Sequence, residues 1–290
     1  MHNIIENPPK ISVITPSYNQ GRFIEQTIQS VINQGYPNIE YIIIDGGSND
    51  ETVEIIKKYE GHIKYWHSKK DKGQGDAINY GFSLATGDIL CWLNSDDVYI
   101  PGALLTIARQ FENIHSPTIL FGNCIQFDDK KHKASISDVV SKHAAMDLEL
   151  CDYIVQPSSF WNRSAWDLAG NINIEYHYAF DWEWFIRAKN KGVILYPIND
   201  PLSLYRVHEA HKSGSGDEKR HLELCRIYEN KGVAVRNAYN KWDRLRTKYS
   251  KLPKLLHASD LAGSSVLKKT IHKIFFRDID FDVFDHIYRM

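Results

Sequence analysis

The 290-residue sequence predicts an α/β fold, with a mostly parallel, doubly wound sheet and a helical extension at the C-terminus. Short apolar runs alternate with segments whose apolar residues recur at helical spacing, an alternation that is typical of parallel sheets. A polar turn follows each apolar run directly. The hydrophobic share of 43% is that of an ordinary globular protein and is enough to fill a sizeable core.

Four apolar runs predict the first strands, at residues 11–15, 39–44, 63–67 and 89–93. Segments with helical periodicity follow them, at residues 22–34, 51–59, 76–85 and 101–111. The run at 89–93 contains no charged or strongly polar residue. We therefore expect it to be a central strand that is buried on both faces.

The second half of the sequence has a mixed pattern. Strands are predicted at 119–127, 156–161, 193–197 and 202–207, and helices at 164–169 and 180–190. A charged turn at 128–133 and a Gly/Ser-rich loop at 212–216 separate these elements, and a helical tail follows. We predict one domain over 1–216, with a first half at about 8–125 and a second half at about 126–216, and a helical extension over 217–290.

Charge and cysteine content exclude several classes of protein. The formal net charge of −1 gives no general electrostatic attraction to nucleic acid. The four cysteines, Cys91, Cys124, Cys151 and Cys225, form no CxxC pair and are expected to be reduced, as in a cytoplasmic protein.

The N-terminus has no signal-peptide pattern, and no apolar run is long enough to cross a membrane. Nothing in the sequence indicates an oligomeric state.

An acidic pair, Asp96-Asp97, follows the buried run at 89–93 directly. Two adjacent carboxylates repel each other unless a cation lies between them, and Mg²⁺ and Mn²⁺ prefer such oxygen ligands. The alternative is a solvated turn that only ends the strand. On the pair alone, the two interpretations have equal standing.

Three further polar loops follow strands, at residues 16–20, 45–50 and 71–76. Ligands of open α/β sheets bind at the carboxyl ends of the strands, so these loops and 94–97 predict one shared site. Asp45 is either a ligand-binding residue or a turn former before Gly46-Gly47, and Asp76 is explained equally well by capping of the helix that begins there.

Four segments in this order resemble the inverting family 2 glycosyltransferases. They are ISVITPSYN at 11–19, IIDGGSNDET at 43–52, DKGQGDAIN at 71–79 and ATGDILCWLNSDD at 85–97. The resemblance extends from about residue 11 to about residue 215, and its nearest likeness is to the branch that builds O-antigen and other bacterial surface polysaccharides. It implies the nucleotide-diphospho-sugar transferase fold called GT-A, with a donor half followed by an acceptor half.

The resemblance also implies roles for individual residues. Thr15, Pro16 and Tyr18 would flank the nucleobase, and Asp45 would lie near the base or ribose. Asp96 would hold the ribose or the metal, and Asp97 would be the firmer ligand of an Mn²⁺ or Mg²⁺ ion that bridges the diphosphate. The remaining donor-side positions are Asn19, Gly47, Asp71, Gly73, Asp76 and Asn94.

The chain departs from the family pattern at Gly46, where many members carry a second aspartate that contacts uracil. The resemblance therefore favours a UDP-sugar donor only weakly, with GDP- and dTDP-sugars as alternatives. The acceptor implied by the resemblance is a saccharide or a lipid-linked saccharide.

Asp181, in YAFDWEWFIR at 178–187, matches the general base of the family. An inverting transfer needs one carboxylate to take the proton of the acceptor hydroxyl, whereas a metal stabilises the leaving diphosphate. The alternative is a carboxylate that only stabilises a helix N-terminus. Glu183 is the weaker candidate, and Trp182 and Trp184 are expected in the core, although one of them is a candidate for stacking on a sugar.

RVHEAHKS at 206–213 resembles the loop in which a histidine completes the metal site or meets the diphosphate. His208 fits that position, with His211 as the fallback, and Lys212 is a candidate partner of the diphosphate. Surface exposure without a ligand is the alternative for each of them.

The tail at 241–256 mixes basic residues with Trp242, Leu245, Tyr249 and Leu252. A solvated helix face explains this pattern, and so does peripheral contact with an anionic membrane surface, at the inner face of the cell membrane. The predicted function is metal-dependent transfer of a hexosyl group with inversion. The alternatives are a non-catalytic nucleotide-sugar binding module and a partner subunit of a polysaccharide-assembly complex. A glycoside hydrolase would not need the strand-end pair, and no GxGxxG supports an oxidoreductase.

Overall fold

The computed structural model describes residues 7–128, 133–208, 218–261 and 266–288, with the side chains of 257–261 excepted. The chain forms two compact units. The first comprises Met1–Ser141 and Ile154–Ser215, and the second comprises Lys142–Tyr153 and Gly216–Met290. Residues 142–153, which the sequence analysis placed in the second half of the main domain, therefore pack with the C-terminal helices.

The first unit is built around one mixed sheet. Its strand order is β3-β2-β1-β4-β8-β6-β9-β5, and β7 pairs with β6. The strands are β1 (Ile11–Ser17), β2 (Ile39–Asp45), β3 (Tyr65–Ser68), β4 (Ile89–Trp92), β5 (Val98–Tyr99), β6 (Thr118–Asp128), β7 (Lys133–Ile136), β8 (Ser159–Asn162) and β9 (Ile194–Val207).

Helices cover this sheet, as the alternating pattern predicts. In the first unit they are α1 (Ile24–Ile32), α2 (Thr52–Lys58), α3 (Gln74–Leu84), α4 (Ala103–Phe111), α6 (Arg163–Ala169) and α7 (Phe180–Asn190). Helix α5 (Val139–Ala145) contains the boundary between the two units. Glycine allows α3 to approach the sheet closely, because a Cβ atom at Gly81 would lie 2.4 Å from Ile14 Cγ2. The predicted α/β fold with a mostly parallel sheet is confirmed.

Strands β3, β2, β1 and β4 are parallel neighbours. All residues of β1 and β4 are buried, as expected of strands with helices on both faces. Their carboxyl ends lie along one edge, so the loops that follow them are brought together by the topology.

The other half of the sheet differs from the prediction in three ways. The two strands expected at 193–197 and 202–207 are one strand, β9, which runs parallel to β6 with register shifts near Phe121 and Asn123. Residues 156–158 form a 3₁₀ turn, so β8 begins at Ser159. The short strands β5 and β7 were not predicted, because neither has a hydrophobic period that distinguishes it from a loop.

An aromatic cluster fills the core under α6 and α7. Trp161 packs against Trp92, Trp166 and Trp184, with ring centroids 5.2, 6.2 and 4.7 Å away. Trp182 and Trp184 are both buried, as expected of core residues. The start of α7 is thereby anchored on a rigid base.

The second unit contains the C-terminal helices, which are α8 (Glu218–Lys231), α9 (Val233–Lys248), α10 (Leu252–Leu261), α11 (Val266–Phe275) and α12 (Phe281–Ile287). The Tyr228 hydroxyl donates to the Leu150 carbonyl at 3.0 Å, and Lys231 Nζ pairs with Asp147 and Glu149. Among the described residues, no helix combines the length and the apolar character needed to span a bilayer.

Candidate functional site

A cavity of about 650 Å³ lies in the first unit, along the carboxyl ends of β1, β2 and β4. All four polar loops that the sequence analysis grouped together contribute to its wall, and the start of α7 closes another side. Of the predicted site residues, those that line the cavity are Pro16, Tyr18, Gly47, Asp71, Gly73, Asn94, Asp96 and Asp181. Those that lie behind or beside its wall are Thr15, Asn19, Asp45, Asp76, Asp97 and His208.

Asp45 is buried and shapes the loop after β2. Its carboxylate accepts hydrogen bonds from the Gly47 and Ser48 amides at 3.1 and 2.9 Å, and from the Ser48 and Ser68 hydroxyls at 2.5 and 2.6 Å. These four bonds occupy most of the acceptor capacity of a carboxylate. Asp45 therefore acts in this structure as a former of the loop and not as part of the cavity wall.

Hydrogen bonds also join the loops after β1 and β2. The Asn19 amide donates to Ser48 Oγ at 2.7 Å, and the Asn49 amide donates to Asn19 Oδ1 at 3.0 Å. Asn19 has a φ of +51°, a left-handed conformation that asparagine tolerates better than most residues. Thr15 lies beneath this junction, 3.1 Å from the Tyr41 hydroxyl. Asn19 thus joins the two loops beside the exposed Tyr18 ring, whereas the contact of Thr15 is between strands β1 and β2.

Gly46 and Asp71 lie against each other in the cavity wall. A Cβ atom at position 46 would lie 2.9 Å from Asp71 Oδ2, so the Asp71 carboxyl occupies the space that a larger residue would need. The Gly73 amide donates to Asp71 Oδ1 at 2.8 Å. Burial, and then the charges of Asp76 and Asp45, raise the pKa of the Asp71 carboxyl above its usual range.

The start of α3 holds the loop that carries Asp71. Gly73 precedes the helix with a φ of +115°, which favours glycine. Asp76 lies in the first turn, where Asp76 Oδ2 accepts from the Lys72 amide at 3.1 Å. Asp76 is therefore not the N-cap residue, which is Gly73; its carboxylate instead reaches back to an amide before the helix, as in a capping box.

Asn94 connects several polar side chains of the wall. Gln74 Nε2 donates to Asn94 Oδ1 at 2.8 Å, and Asn94 Nδ2 donates to Gln156 Oε1 at 3.2 Å and to Asp97 Oδ2 at 3.3 Å. Gln156 Nε2 in turn donates to the Trp92 carbonyl at 2.8 Å. The network ties the loop after β4 to α3 and to the turn before β8.

The two carboxylates of the acidic pair have different surroundings. Asp97 is 1% exposed and lies behind the wall, whereas Asp96 lines the cavity. Burial, and then the negative charge of Asp96, raise the pKa of the Asp97 carboxyl well above its usual range, and hydrogen bonds from Asn94 and the Arg206 amide only partly oppose this. The geometry thus favours Asp96, where the sequence analysis favoured Asp97, as the carboxylate that meets a ligand.

His208 lies beside Asp96. The distance between His208 Nε2 and Asp96 Oδ2 is 3.1 Å, and the imidazole packs on the Phe23 ring at 4.5 Å between centroids. A carboxylate suits Mn²⁺ and Mg²⁺, and the imidazole beside it offers a nitrogen ligand that transition-metal ions accept more readily than Mg²⁺ does. Among the described residues, no set of three such side chains forms a complete metal site. His211 and Lys212 lie outside the described residues.

Asp181 lies in the first turn of α7 and lines the cavity. Asp181 Oδ1 accepts from the Trp182 amide at 2.9 Å. Glu183 is held on the same helix by Arg187, with Nε–Oε1 and Nη2–Oε2 distances of 2.8 and 3.0 Å. Arg187 also donates to the carbonyls of Ala169 and Asn171, so Glu183 stabilises the loop before α7.

Several wall residues were not identified from the sequence. His177, Tyr178 and Phe180 could have been found from their position beside Asp181, and Lys70 from its place next to Asp71. Gln156 and Tyr205 gave no local signal, because the sheet topology alone brings them to the cavity.

Comparison with known proteins agrees with this architecture. Residues 12–155 match the family described as glycosyl transferase family 2. An uncharacterized glycosyltransferase of Rickettsia typhi is 26% identical over 71% of this chain and 67% of its own length. One from Mycobacterium tuberculosis is 26% identical over 84% of this chain and 98% of its own length. A Rickettsia felis relative is 34% identical over 42% of this chain, and this match spans about a fifth (21%) of that longer protein.

Two solved structures have the same fold at low sequence identity. TarS of S. aureus, in complex with UDP-GlcNAc, has a TM-score of 0.60 and 18% identity, covering 78% of this chain and 66% of that one. The mannosyltransferase PcManGT from Pyrobaculum calidifontis, in complex with GDP-Man and Mn²⁺, has a TM-score of 0.61 and 15% identity, covering 78% and 65%. Residues 12–155 match the family, and the cavity at the strand ends of the GT-A architecture lies mostly within this range. This chain belongs to glycosyl transferase family 2.

Proposed function

We propose that the chain transfers a hexosyl group, with inversion, from a nucleotide-sugar to a saccharide or lipid-linked saccharide. The observation that carries this proposal is the composition of one cavity wall, where Asp96 beside His208 lies after β4 and Asp181 lies in the first turn of α7. Such a wall has one carboxylate for a metal and diphosphate, and a second for the acceptor hydroxyl. The role of the family's relatives in glycosyl transfer is in keeping with it.

A nucleoside diphosphate suits the donor side of the cavity. Two proteins with this fold are seen with UDP-GlcNAc and with GDP-Man. Pro16 and the exposed Tyr18 ring offer an apolar surface for a base, and Asp71 offers polar oxygens near Gly46. We propose that Asp71 contacts the base edge from the place where many family members have the second aspartate. A uridine donor is favoured, with guanosine and deoxythymidine donors as alternatives.

The proposed cofactor is Mn²⁺ or Mg²⁺, held by Asp96 and His208. The carboxylate of Asp96 and diphosphate oxygens would suit both ions, whereas a ring nitrogen of His208 would favour Mn²⁺ over Mg²⁺. When bound, such an ion stabilises the negative charge of the leaving diphosphate. Asp97 lies behind Asp96 and, through Asn94, would hold the loop after β4 in position.

Asp181 is the proposed general base. Its carboxylate would accept the proton of the acceptor hydroxyl while the oxygen forms a bond to the anomeric carbon and the bond to the diphosphate breaks. Because the acceptor oxygen displaces the diphosphate in a single step, the configuration of the anomeric carbon is inverted. Trp182 fixes the orientation of the carboxylate through its backbone amide, and the aromatic core under α7 limits its movement.

The acceptor side carries His177, Tyr178 and Phe180. Aromatic rings with a polar edge suit the alternating apolar and hydroxyl faces of sugars. We therefore propose a saccharide acceptor at this wall, as part of polysaccharide assembly such as that of O-antigen, with the enzyme acting on the cytoplasmic side of the membrane.

The proposal is tested by thermal unfolding with UDP-, GDP- and dTDP-sugars, each with and without Mn²⁺. A bound donor stabilises the folded state by about 2.7 kcal/mol when its concentration is one hundred times Kd. We expect one nucleotide class to raise Tm by several degrees in the presence of Mn²⁺. The matching donor is then assayed with saccharide acceptors. The absence of any Tm shift with all donors would contradict the proposal, and a shift without transfer to any acceptor would leave a binding module.

A further inference from the structure

Helix α11 carries an exposed stripe in which aliphatic and basic side chains alternate. The outer stripe of α11 consists of Val266, Lys269, Thr270, Lys273 and Ile274, which all are exposed. These residues are alternately three positions and one position apart, which places them on one side of an α-helix. Val266 is 72% exposed and Ile274 is 62% exposed, although both are β-branched aliphatic residues that normally are buried.

The side chains on the inward face of α11 have their contacts within the second unit. Ile271 is buried, and Lys268, which is only 9% exposed, pairs with Asp285 at 2.7 Å. By contrast, Lys269 and Lys273 point to solvent. The segment 266–277 contains no aspartate or glutamate, so its own residues cannot neutralise them.

The neighbouring helices extend this character. Helix α10 packs against α11. Leu255 is 54% exposed, directly after the exposed Lys254 and one helical turn after the exposed Lys251. Tyr249 is 49% exposed at the end of α9. Residues 241–277 contain ten Lys and Arg against two Asp. Among the described side chains, three of these basic residues are paired, Lys241 with Asp278, Arg246 with Asp243 and Lys268 with Asp285, and the others are available to a partner of opposite charge.

We propose that the outer stripe of α11, with the adjoining exposed residues of α10, binds the surface of an anionic lipid bilayer. A bilayer surface satisfies both parts of the stripe, because headgroup phosphates attract the lysines while Val266, Ile274 and Leu255 enter the acyl boundary. Nucleic acid would match the charge but would leave the aliphatic side chains in water. A protein partner would have to be strongly acidic around an apolar centre.

This inference is compatible with the proposed function but does not rest on it, because membrane binding is measured without donor or acceptor. If transfer fails while vesicle binding holds, the proposed function alone is overturned. If vesicle binding fails while transfer to a water-soluble acceptor holds, the membrane surface alone is overturned.

The test uses the full chain in co-sedimentation with vesicles of phosphatidylcholine alone, and of phosphatidylcholine mixed equally with phosphatidylglycerol. We expect binding only to the anionic vesicles, and weaker binding as salt rises. Lys269→Gln with Lys273→Gln should weaken it about thirty-fold, since each lysine near an anionic surface contributes about 1 kcal/mol. Val266→Ser with Ile274→Ser should weaken it about tenfold, through loss of apolar burial.

The matched control is Lys57→Gln with Lys64→Gln, which removes two exposed lysines from the first unit and should bind as the wild type does. Circular dichroism melts verify that each variant folds. Wild-type protein that ignores anionic vesicles, or α11 variants that bind them as tightly as the control, would overturn the proposal. It would also be overturned if the wild type formed a concentration-dependent dimer that Val266→Ser with Ile274→Ser abolished, because the stripe would then be an interface between copies of the chain.

Discussion

Aspartates lie at the carboxyl ends of two buried parallel strands, yet they are used differently: Asp45 is the last residue of β2, and Asp96 and Asp97 are in the loop after β4. After β2, Asp45 is enclosed by four donors from its own loop and from Ser68. After β4, Asp96 lines the cavity beside His208 and leaves Asp97 behind it. The carboxylate of Asp45 thus holds the loop after β2 in shape, whereas the carboxylate of Asp96 lines the cavity.

At these two strand ends, the aspartate with more hydrogen-bond donors around it is the one that lies outside the cavity wall. A carboxylate that accepts four hydrogen bonds has little capacity left for a ligand. On α7, Asp181 lines the cavity, whereas Arg187 holds the carboxylate of Glu183 in two hydrogen bonds. Each prediction below changes one member of such a pair.

The largest effect is expected at Asp181. Asp181→Asn keeps the shape of the side chain but removes its basicity, so kcat should fall by about 10² to 10⁴ while donor binding is unchanged. Turnover with a saturating donor measures kcat, and the Mn²⁺-dependent Tm shift measures donor binding.

Glu183→Gln is the matched control for that measurement. It should lower Tm through the weakened contact with Arg187 and leave kcat within a few-fold of the wild type. Normal turnover in Asp181→Asn, or a greater loss in Glu183→Gln, would mean that another group removes the proton.

The second effect separates Asp96 from Asp97. Asp96→Asn should abolish most of the Mn²⁺-dependent donor stabilisation, since a neutral amide is a poorer ligand for a divalent cation, and we expect donor affinity to weaken by about tenfold to a hundredfold. Asp97→Asn should weaken it less. Titration calorimetry of the donor with Mn²⁺ makes the comparison. A greater loss in Asp97→Asn would restore Asp97 as the firmer metal ligand and refute the assignment that the geometry favours.

The third effect concerns the loop after β2. Asp45→Asn leaves some of the four part-buried donors around this buried side chain without an acceptor, so the free energy of unfolding should fall by about 1–3 kcal/mol. Urea unfolding of the donor-free protein measures it. Asp71→Asn, on the cavity wall, should change stability less and donor affinity more. Equal stability of Asp45→Asn and wild type would show that those contacts do not hold the loop.

The smallest effect is a pH dependence at Asp97. Its folded-state pKa is raised by burial and by Asp96, so the native protein keeps that proton to higher pH than the unfolded chain. Stability from this group should be fully present below the unfolded pKa of about 3.9, and should be lost as pH rises through the folded pKa. In metal-free protein, Asp97→Asn should therefore gain about 1 kcal/mol relative to wild type at neutral pH. Identical pH profiles of Tm for both proteins would contradict this.

The sequence predicted the fold where local patterns determine it. The β-branched runs of β1 and β2, the apolar run of β4 and the polar turns after them were sufficient for the parallel half of the sheet. The same patterns predicted that four loops would meet at one edge. Bulges in β9 and the two-residue strand β5 have no such local signature, since they follow from pairing with distant residues.

The site was predictable in its members but not in their orientation. The motifs identified both Asp96 and Asp97, but one step along the chain separates a buried side chain from one in a cavity, and only the turn geometry decides which is which. Likewise, Gln156 enters the wall because the turn before β8 lies across the sheet from Trp92. Such contacts join residues more than sixty positions apart, and sequence periodicity contains no information about them.

The central claim is that one carboxylate in the cavity drives a single displacement on a nucleotide-sugar. Proton NMR of the reaction as it proceeds, with the donor selected by the Tm screen, reports the anomeric configuration of the first product formed. We expect an α-linked donor to give a β-linked product, and Asp181→Asn to form neither anomer at an appreciable rate. An α-linked first product from that donor would contradict it.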